Sequence, residues 1–361
     1  MNSKKIVNKK VLFVATNTEF IKENCIPTLK WLKENDYEVH VVSNGNEEIE
    51  YCDKYFNLPF NKSKIKTYKI LKKIIEENNY EFIQCYTFWG AALTRLAAKK
   101  TKTKVIYISE KFQFYKGSKL TKWLIYYPIE KYLSKYTDTL ITTNEEDYIL
   151  AKNKFKTPKI KYINGLGIDE KEYSTKITEQ ERKEFLDEFE LNKEDYIFFS
   201  TGDLTQDNNQ ILQIEAIMQI IPEYKNIKLL IEGEGPLEEY YNNIIQKYSL
   251  NEHIKLIGKR KDILNIMKIT DALLVTNKKD NKNNNIIKAM FANKPIIASR
   301  IKEHKELLEA QYLVNVNNAN ELISKIEKNI IDGKRKVYYD IEKYKLSSII
   351  ESIKKIYEKY F

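Results

Sequence analysis

Apolar residues along the chain fall into short runs of strand length, separated by stretches with helical spacing. Lys10–Ala15, Tyr37–Ser43, Phe82–Tyr86, Lys104–Ser109, Asp138–Thr142 and Lys159–Ile163 read as buried strands. Between them, Glu19–Glu34 has helical spacing, with Ile21, Leu29 and Leu32 apolar and Pro27 placed to kink or restart it. Tyr68–Glu77 carries Ile70, Leu71, Ile74 and Ile75 on one helical face, and Ala91–Lys100 makes a short helix. The turn cluster Asn164–Asp169 interrupts the alternation and reads as a hinge. A second series follows, with strands at Tyr196–Thr201, Ile227–Glu232, Ile254–Ile257, Asp271–Thr276 and Pro295–Ser299. Its helices lie at about Gln210–Ile221, Leu237–Tyr248 and Asp262–Ile269, and a last long helix, Leu346–Tyr360, stands beyond it. Strands alternating with helices predict parallel, doubly wound α/β sheets, here in two domains.

One stretch stands out within this pattern. Asp271–Ser299 reads as strand, polar loop, helix, turn, strand, and the nine residues Asn277–Asn285 contain no apolar side chain. A loop at the carboxyl end of a parallel strand is where open α/β sheets bind ligands.

Composition narrows the class. With 361 residues, 42% hydrophobic and 31% charged, the chain is long enough for two domains and typical of a soluble globular protein. No apolar run reaches spanning length, and the basic start MNSKKIVNKK leads into a strand and not an apolar signal core. Cys25, Cys52 and Cys85 are odd in number and far apart, which suits a reducing compartment and argues against disulfides or a metal site. A cytoplasmic protein is expected. The net charge of +10 is spread among carboxylates without a nucleic-acid motif, so no nucleic-acid partner is expected. A basic face suits an anionic membrane or a phosphate-bearing substrate instead.

The segments KVLFVATNTEFIKENCIPTLKWLKENDYEVHVVSNG, FQFYKGSKLTKWLIYYPIEKYLSKYTDTLITTNEEDY, GLGID, IEGEGPLEE and GKRKDI occur in order. Together with Ala289-Met290 and Pro295, they resemble the family-4 glycosyltransferases, in the branch that builds capsules and exopolysaccharides. The resemblance covers nearly the whole chain. It implies the GT-B fold, two Rossmann-like domains facing a cleft. Residues 1–165, completed by a C-terminal helix at 337–361, would form the acceptor side, and 166–336 the nucleotide-sugar side. It also implies transfer of a hexose or N-acetylhexosamine from a UDP- or GDP-sugar, with retention, to a lipid-linked or growing polysaccharide. No cofactor and no metal are implied.

Placed on this frame, the family's two donor-loop glutamates fall at Asp280 and Lys288, its loop glycine at Asn281 and its loop proline at Asn283. Asn208 stands where the family has a phosphate-binding lysine, and Asp203 where it often has an arginine, in the loop opened by Gly202. The alternative reading of that loop is a polar turn capping the next helix. Arg260 and Lys261 remain as cations beside the nucleotide, or as a solvated basic turn whose Asp262 caps a helix. Glu234 sits in the tight Glu232-Gly233-Glu234-Gly235-Pro236 turn, which is either structural only or, at its helix N-terminus, an anion site. Glu110 replaces a histidine that approaches the donor sugar; it would act as a base, orient a hydroxyl, or pair with Lys111. Other cleft histidines of the branch are replaced by Phe20, Cys25, Gln84, Tyr86, Gln113 and Gln210, while His40 reads as packed in a strand.

Lys111–Tyr136 holds six lysines, one carboxylate and eight aromatic residues, which suits an interfacial segment on the inner face of the plasma membrane. The alternative is a packed helix with a lysine-rich outer face. Two functions stay open: a transferase with a rearranged site using Glu110, Asp280, Lys288 and Arg260, or a homologue without turnover that serves as a binding or scaffold subunit for a partner glycosyltransferase.

Overall fold

The computed structural model describes residues 9–45, 48–115, 118–279 and 284–358. The chain divides into two compact units, Met1–Gly167 with Lys343–Phe361, and Ile168–Glu342.

The first unit is built on seven parallel strands: β1 (Lys9–Val14), β2 (Tyr37–Ser43), β3 (Lys54–Asn57), β4 (Phe82–Cys85), β5 (Lys104–Ser109), β6 (Thr139–Thr142) and β7 (Lys159–Tyr162). Their order is β3-β2-β1-β4-β5-β6-β7. Its helices are α1 (Thr18–Asn24), α2 (Ile26–Glu34), α3 (Lys64–Asn78), α4 (Phe88–Ala98), α5 (Leu120–Leu133) and α6 (Glu145–Lys154). Period-two alternation sends Val11 and Phe13 of β1 to one face and Leu12 and Val14 to the other. The first face is covered by Ile21, Leu29 and Leu32 of α1 and α2, the second by Leu71, Ile74, Leu93 and Ala97 of α3 and α4. Both faces are therefore dry, as an all-parallel sheet requires. The predicted break near Pro27 is real. α1 ends at Cys25, and the proline lies in the first turn of α2, where its missing N–H leaves no bond unmade.

In the second unit the strands are β8 (Tyr196–Thr201), β9 (Ile227–Glu232), β10 (Ile254–Leu256), β11 (Ala272–Val275), β12 (Ile296–Ser299) and β13 (Leu313–Val314). All are parallel, in the order β10-β9-β8-β11-β12-β13. The helices are α7 (Glu170–Ser174), α8 (Glu179–Glu188), α9 (Gln210–Ile220), α10 (Glu238–Lys247), α11 (Ile263–Ile269), α12 (Asn284–Phe291), α13 (Lys302–Leu307) and α14 (Ala319–Ile331). α8 escapes a reading by apolar period because Phe185 alone of its residues is buried. What starts it is polar, a reciprocal capping box between Thr178 and Glu181.

The last helix, α15 (Leu346–Tyr357), belongs to the first unit and buries Ile349, Ile353, Ile356 and Tyr357. Residues 337–342, expected with that helix, belong instead to the second unit. The Val337 N–H donates to Asn293 O at 3.0 Å, and the Tyr339 hydroxyl donates to Lys294 O at 3.0 Å.

Candidate functional site

In the second sheet the strand order reverses between β8 and β11. Ligands of doubly wound sheets bind outside the carboxyl ends of the strands at such a switch point. Four segments meet there: Gly202–Asn209 after β8, Gly233–Pro236 after β9, Gly258–Asp262 after β10, and Asn277–Lys279 after β11.

Three of them are stitched together by backbone. Gly202 N–H donates to Glu232 O at 3.1 Å, Gly233 N–H to Gly258 O at 3.0 Å, and Leu204 N–H to Glu234 O at 3.0 Å. Gly233 has a φ of +133°, and a Cβ there would stand 2.3 Å from Gly202 O. At Gly235 a Cβ would stand 2.5 Å from Leu204 O. Gly233 is thus required twice over, by conformation and by contact, and Gly235 by contact alone. Glu234, picked out from the sequence, presents an exposed side chain at this turn.

The β8 loop is held by buried amides. Asn208 donates Nδ2–H to Asp203 O at 2.6 Å, and Gln210 Nε2 donates to Gly202 O and Asp203 O at 3.2 and 3.1 Å. Asn209, left-handed at φ 57°, donates from Nδ2 to Thr276 O at 3.4 Å and Val316 O at 3.3 Å. The Thr276 hydroxyl donates to Asn209 O at 2.9 Å and accepts from Gln213 Nε2 at 2.8 Å. The loop is an anchored turn across the switch point; Asn209 precedes α9 but makes no side-chain cap bond. Asp203 and Asp207 are exposed, and Asp207 pairs with Lys279 at 3.1 Å.

Arg260 is engaged on both sides. Nε and Nη2 donate to Asp262 at 2.9 and 2.8 Å, and Nη1 donates to Glu188 at 2.7 Å. These bonds hold the Asp262 carboxyl below the usual carboxylate range. Asp262 therefore clamps the arginine and does not cap α11 with its side chain. Lys261 is exposed. Lys288 lies half-buried in the second turn of α12, and no described residue bonds its ammonium. Asp280, with Asn281 and Asn283, lies outside the described residues.

The sequence places Glu232 at a strand end and at the head of the glycine-turn motif, without a role of its own. The available signal was a carboxylate closing the apolar run IKLLIE. The residue is buried, accepting the Thr201 hydroxyl at 2.6 Å and the Arg260 main-chain N–H at 3.0 Å.

In the first unit the order reverses between β1 and β4. There the Thr16 N–H donates to Thr87 Oγ1 at 3.3 Å, and Thr87 has a φ of +55°. Gln84, Tyr86 and Cys25, which stand at cleft-histidine positions of the branch, are buried. Gln84 donates Nε2–H to the Tyr86 hydroxyl and accepts from the Tyr357 hydroxyl. Burial pushes the Cys25 thiol up to about 12, so it is no nucleophile. Phe20 packs on Tyr86 with centroids 5.2 Å apart. Glu110 follows β5 half-buried, its carbonyl accepting from Thr143 Oγ1 at 2.7 Å and Asn144 Nδ2 at 3.1 Å. Lys111 lies over the Tyr115 ring at 4.0 Å. His40 is packed, bonded to Tyr80 and Glu38, each at 2.8 Å.

α5 turns an apolar face outward: Leu120, Leu124 and Ile125 are 73%, 68% and 55% exposed. Lys119 and Lys131 are exposed beside them. Its carboxylate, Glu130, is buried against Arg95 at 2.7 Å, with Tyr107 donating at 3.3 Å. The helix packs on its own unit through Trp123, Tyr126 and Tyr127, as the alternative had it, and its outer face carries these apolar residues beside the lysines. Among the described residues no helix is long and apolar enough to cross a membrane.

Two family models match the chain in order: “Glycosyl transferase 4-like” over residues 10–144 and “Glycosyl transferases group 1” over 181–346. The putative glycosyltransferase EpsD of Bacillus subtilis is 31% identical over 334 residues, covering 89% of this chain and 87% of the relative. An Escherichia coli UDP-Gal:alpha-D-GlcNAc-diphosphoundecaprenol alpha-1,3-galactosyltransferase is 26% identical, covering 73% and 68%. The crystal structure of Anabaena Alr3699/HepE in complex with UDP superposes with a TM-score of 0.77 at 15% identity, covering 98% of this chain and 100% of that one. With both family models matched in order and a relative this similar over most of its length, the chain belongs to the family-4 glycosyltransferases of GT-B fold.

Proposed function

We propose that the protein transfers a hexose or N-acetylhexosamine, with retention, from a UDP- or GDP-sugar to a lipid-linked or growing surface polysaccharide. The observation that carries this reading is the stitched glycine turn at the second switch point, where Gly202, Gly233 and Gly235 bring bare backbone together. Such a surface suits a diphosphate, which can come close to a backbone that carries no side chain at the carboxyl ends of the strands. The E. coli relative, named for a UDP-sugar donor and a lipid diphosphate acceptor, and the UDP complex of the Anabaena protein support the substrate class. In this reading the Gly202 loop, Asn208 and the Glu234 turn meet the diphosphate, and Lys288 and Lys261 supply positive charge. Glu110 and Asp280 orient sugar hydroxyls or act as base. The outward face of α5 rests on an anionic membrane, where the acceptor lipid lies.

A second reading is favoured by one observation. Asn208 is neutral, and the Arg260 guanidinium is taken by Glu188 and Asp262, so neither gives a diphosphate a free cation. A chain that binds nucleotide without turnover, as a subunit beside an active transferase, fits that pattern. Calorimetric titration with UDP, GDP and a panel of their sugars, followed by a turnover assay on undecaprenyl-diphosphate-linked sugar, separates the two. Binding with turnover supports the transferase; binding without it supports the subunit; no binding to any nucleotide sinks the transferase and leaves a scaffold subunit without a donor site.

A further inference from the structure

Glu232 closes β9 as a 5% exposed carboxylate. One oxygen accepts the Thr201 hydroxyl at 2.6 Å and the other the Arg260 main-chain N–H at 3.0 Å. Thr201 Oγ1 in turn accepts from Asn285 Nδ2 at 3.4 Å. A single side chain thus ties the end of β8, the loop after β10 and the first turn of α12, one turn ahead of Lys288. Its neighbour Gly233 is the residue pressed against Gly202 O.

We propose that Glu232 is a positioning residue of the donor site: it sets how α12 and the 258–262 loop stand around the paired glycine turns, and through them the affinity for the nucleotide sugar. The inference rests on the reading that this unit takes such a donor. The chemistry favours a carboxylate. It is acceptor-only, so it satisfies a hydroxyl and an N–H on two oxygens, and charge-assisted bonds are the stronger kind. Glutamine has the same shape with one acceptor oxygen and one NH2. Turned toward Thr201, whose hydroxyl can accept, that NH2 keeps both contacts but without charge assistance; turned toward the Arg260 N–H it sets donor against donor. Either way the link between two of the three segments loosens while the apolar body of β9 is unchanged.

The test uses the full chain, with Glu232→Gln, Thr201→Val and Thr201→Ser. Affinity for UDP, GDP and their sugars is read by calorimetry, local order by hydrogen exchange, and global stability by thermal midpoint. Expected are about tenfold weaker nucleotide binding in Glu232→Gln and faster exchange confined to 258–262 and 284–288. Thr201→Val should weaken binding by a smaller factor, and Thr201→Ser, which keeps the hydroxyl, should bind as wild type. Wild-type affinity in Glu232→Gln overturns the proposal, as does exchange that rises across the whole unit in step with the thermal midpoint, the mark of a merely structural residue. Should Glu232→Gln fail to fold, the valine and serine pair decides: equal affinity in both overturns it. A wild type that binds no nucleotide removes the transferase reading and this donor role together, a result distinct from a variant that binds as well as wild type.

Discussion

The Tyr357 hydroxyl donates to Gln84 Oε1 across 273 residues of chain, joining the last helix to the fourth strand of the first sheet. The Tyr357 ring also stacks on Phe82 with centroids 4.8 Å apart. Tyr357→Phe keeps the stacking and removes the donor, leaving Gln84 Oε1 buried without its partner. The expected loss is about 1–3 kcal/mol, read as a lower urea midpoint at unchanged slope. An unchanged midpoint means the hydroxyl does not anchor the tail.

Lys288 has donors and no acceptor, so it cannot accept hydrogen bonds from ribose hydroxyls as a carboxylate does. Lys288→Glu is expected to strengthen UDP or GDP binding by roughly tenfold or more for each charge-assisted bond regained. Calorimetry checks this. Abolished binding in the variant would instead make the lysine a phosphate ligand.

The outward face of α5 predicts sedimentation with vesicles that contain anionic lipid, and release by salt. Leu124→Glu with Ile125→Glu removes two exposed apolar side chains and adds negative charge. Since a buried side chain of this size contributes about 1.5–3 kcal/mol, binding should drop at least tenfold. Equal binding of wild type to neutral vesicles, or none to either kind, removes the electrostatic part of the idea.

His304 is buried, with Nδ1 donating to Ser299 O at 2.8 Å and Nε2 without a partner among the described residues. Burial pulls its pKa down to about 4 from the usual 6.5. The folded state holds this imidazole neutral, so its contribution is complete above about pH 6.5 and is lost as pH falls toward 4. The loss is on the order of 3 kcal/mol. His304→Asn, which retains a donor toward Ser299 O, should flatten the decline of the urea midpoint between pH 6.5 and 4. An equally steep decline in the variant assigns the acid limb to other groups.

Strand–helix alternation, the turn cluster where the chain divides and the glycine turns were legible because they are local. A buried parallel strand must be continuously apolar, and a backbone held at positive φ or against another backbone must be glycine. β2, β8 and β9 stand where the apolar runs end. β3 was not legible: its residues are half-exposed at the sheet edge and show no apolar alternation. Asn208, Lys288 and Glu110 were found from the frame of a family, and their neighbours had to come from the fold.

What the sequence alone determined is the fold class and the addresses of the site segments, since both follow from period, propensity and turn chemistry along the chain. What only tertiary structure decided is which polar groups remain available. Arg260 reads as a free cation until Glu188, 72 residues earlier, is seen on its guanidinium. Gln84 reads only as a replaced cleft histidine until Tyr357 is seen to fill its acceptor, and Glu232 reads as a strand end until Thr201 and Arg260 N–H converge on it. A hydrogen bond is short and directional, so it depends on partners that the fold brings within about 3 Å from distant parts of the chain. No spacing along the sequence records that meeting.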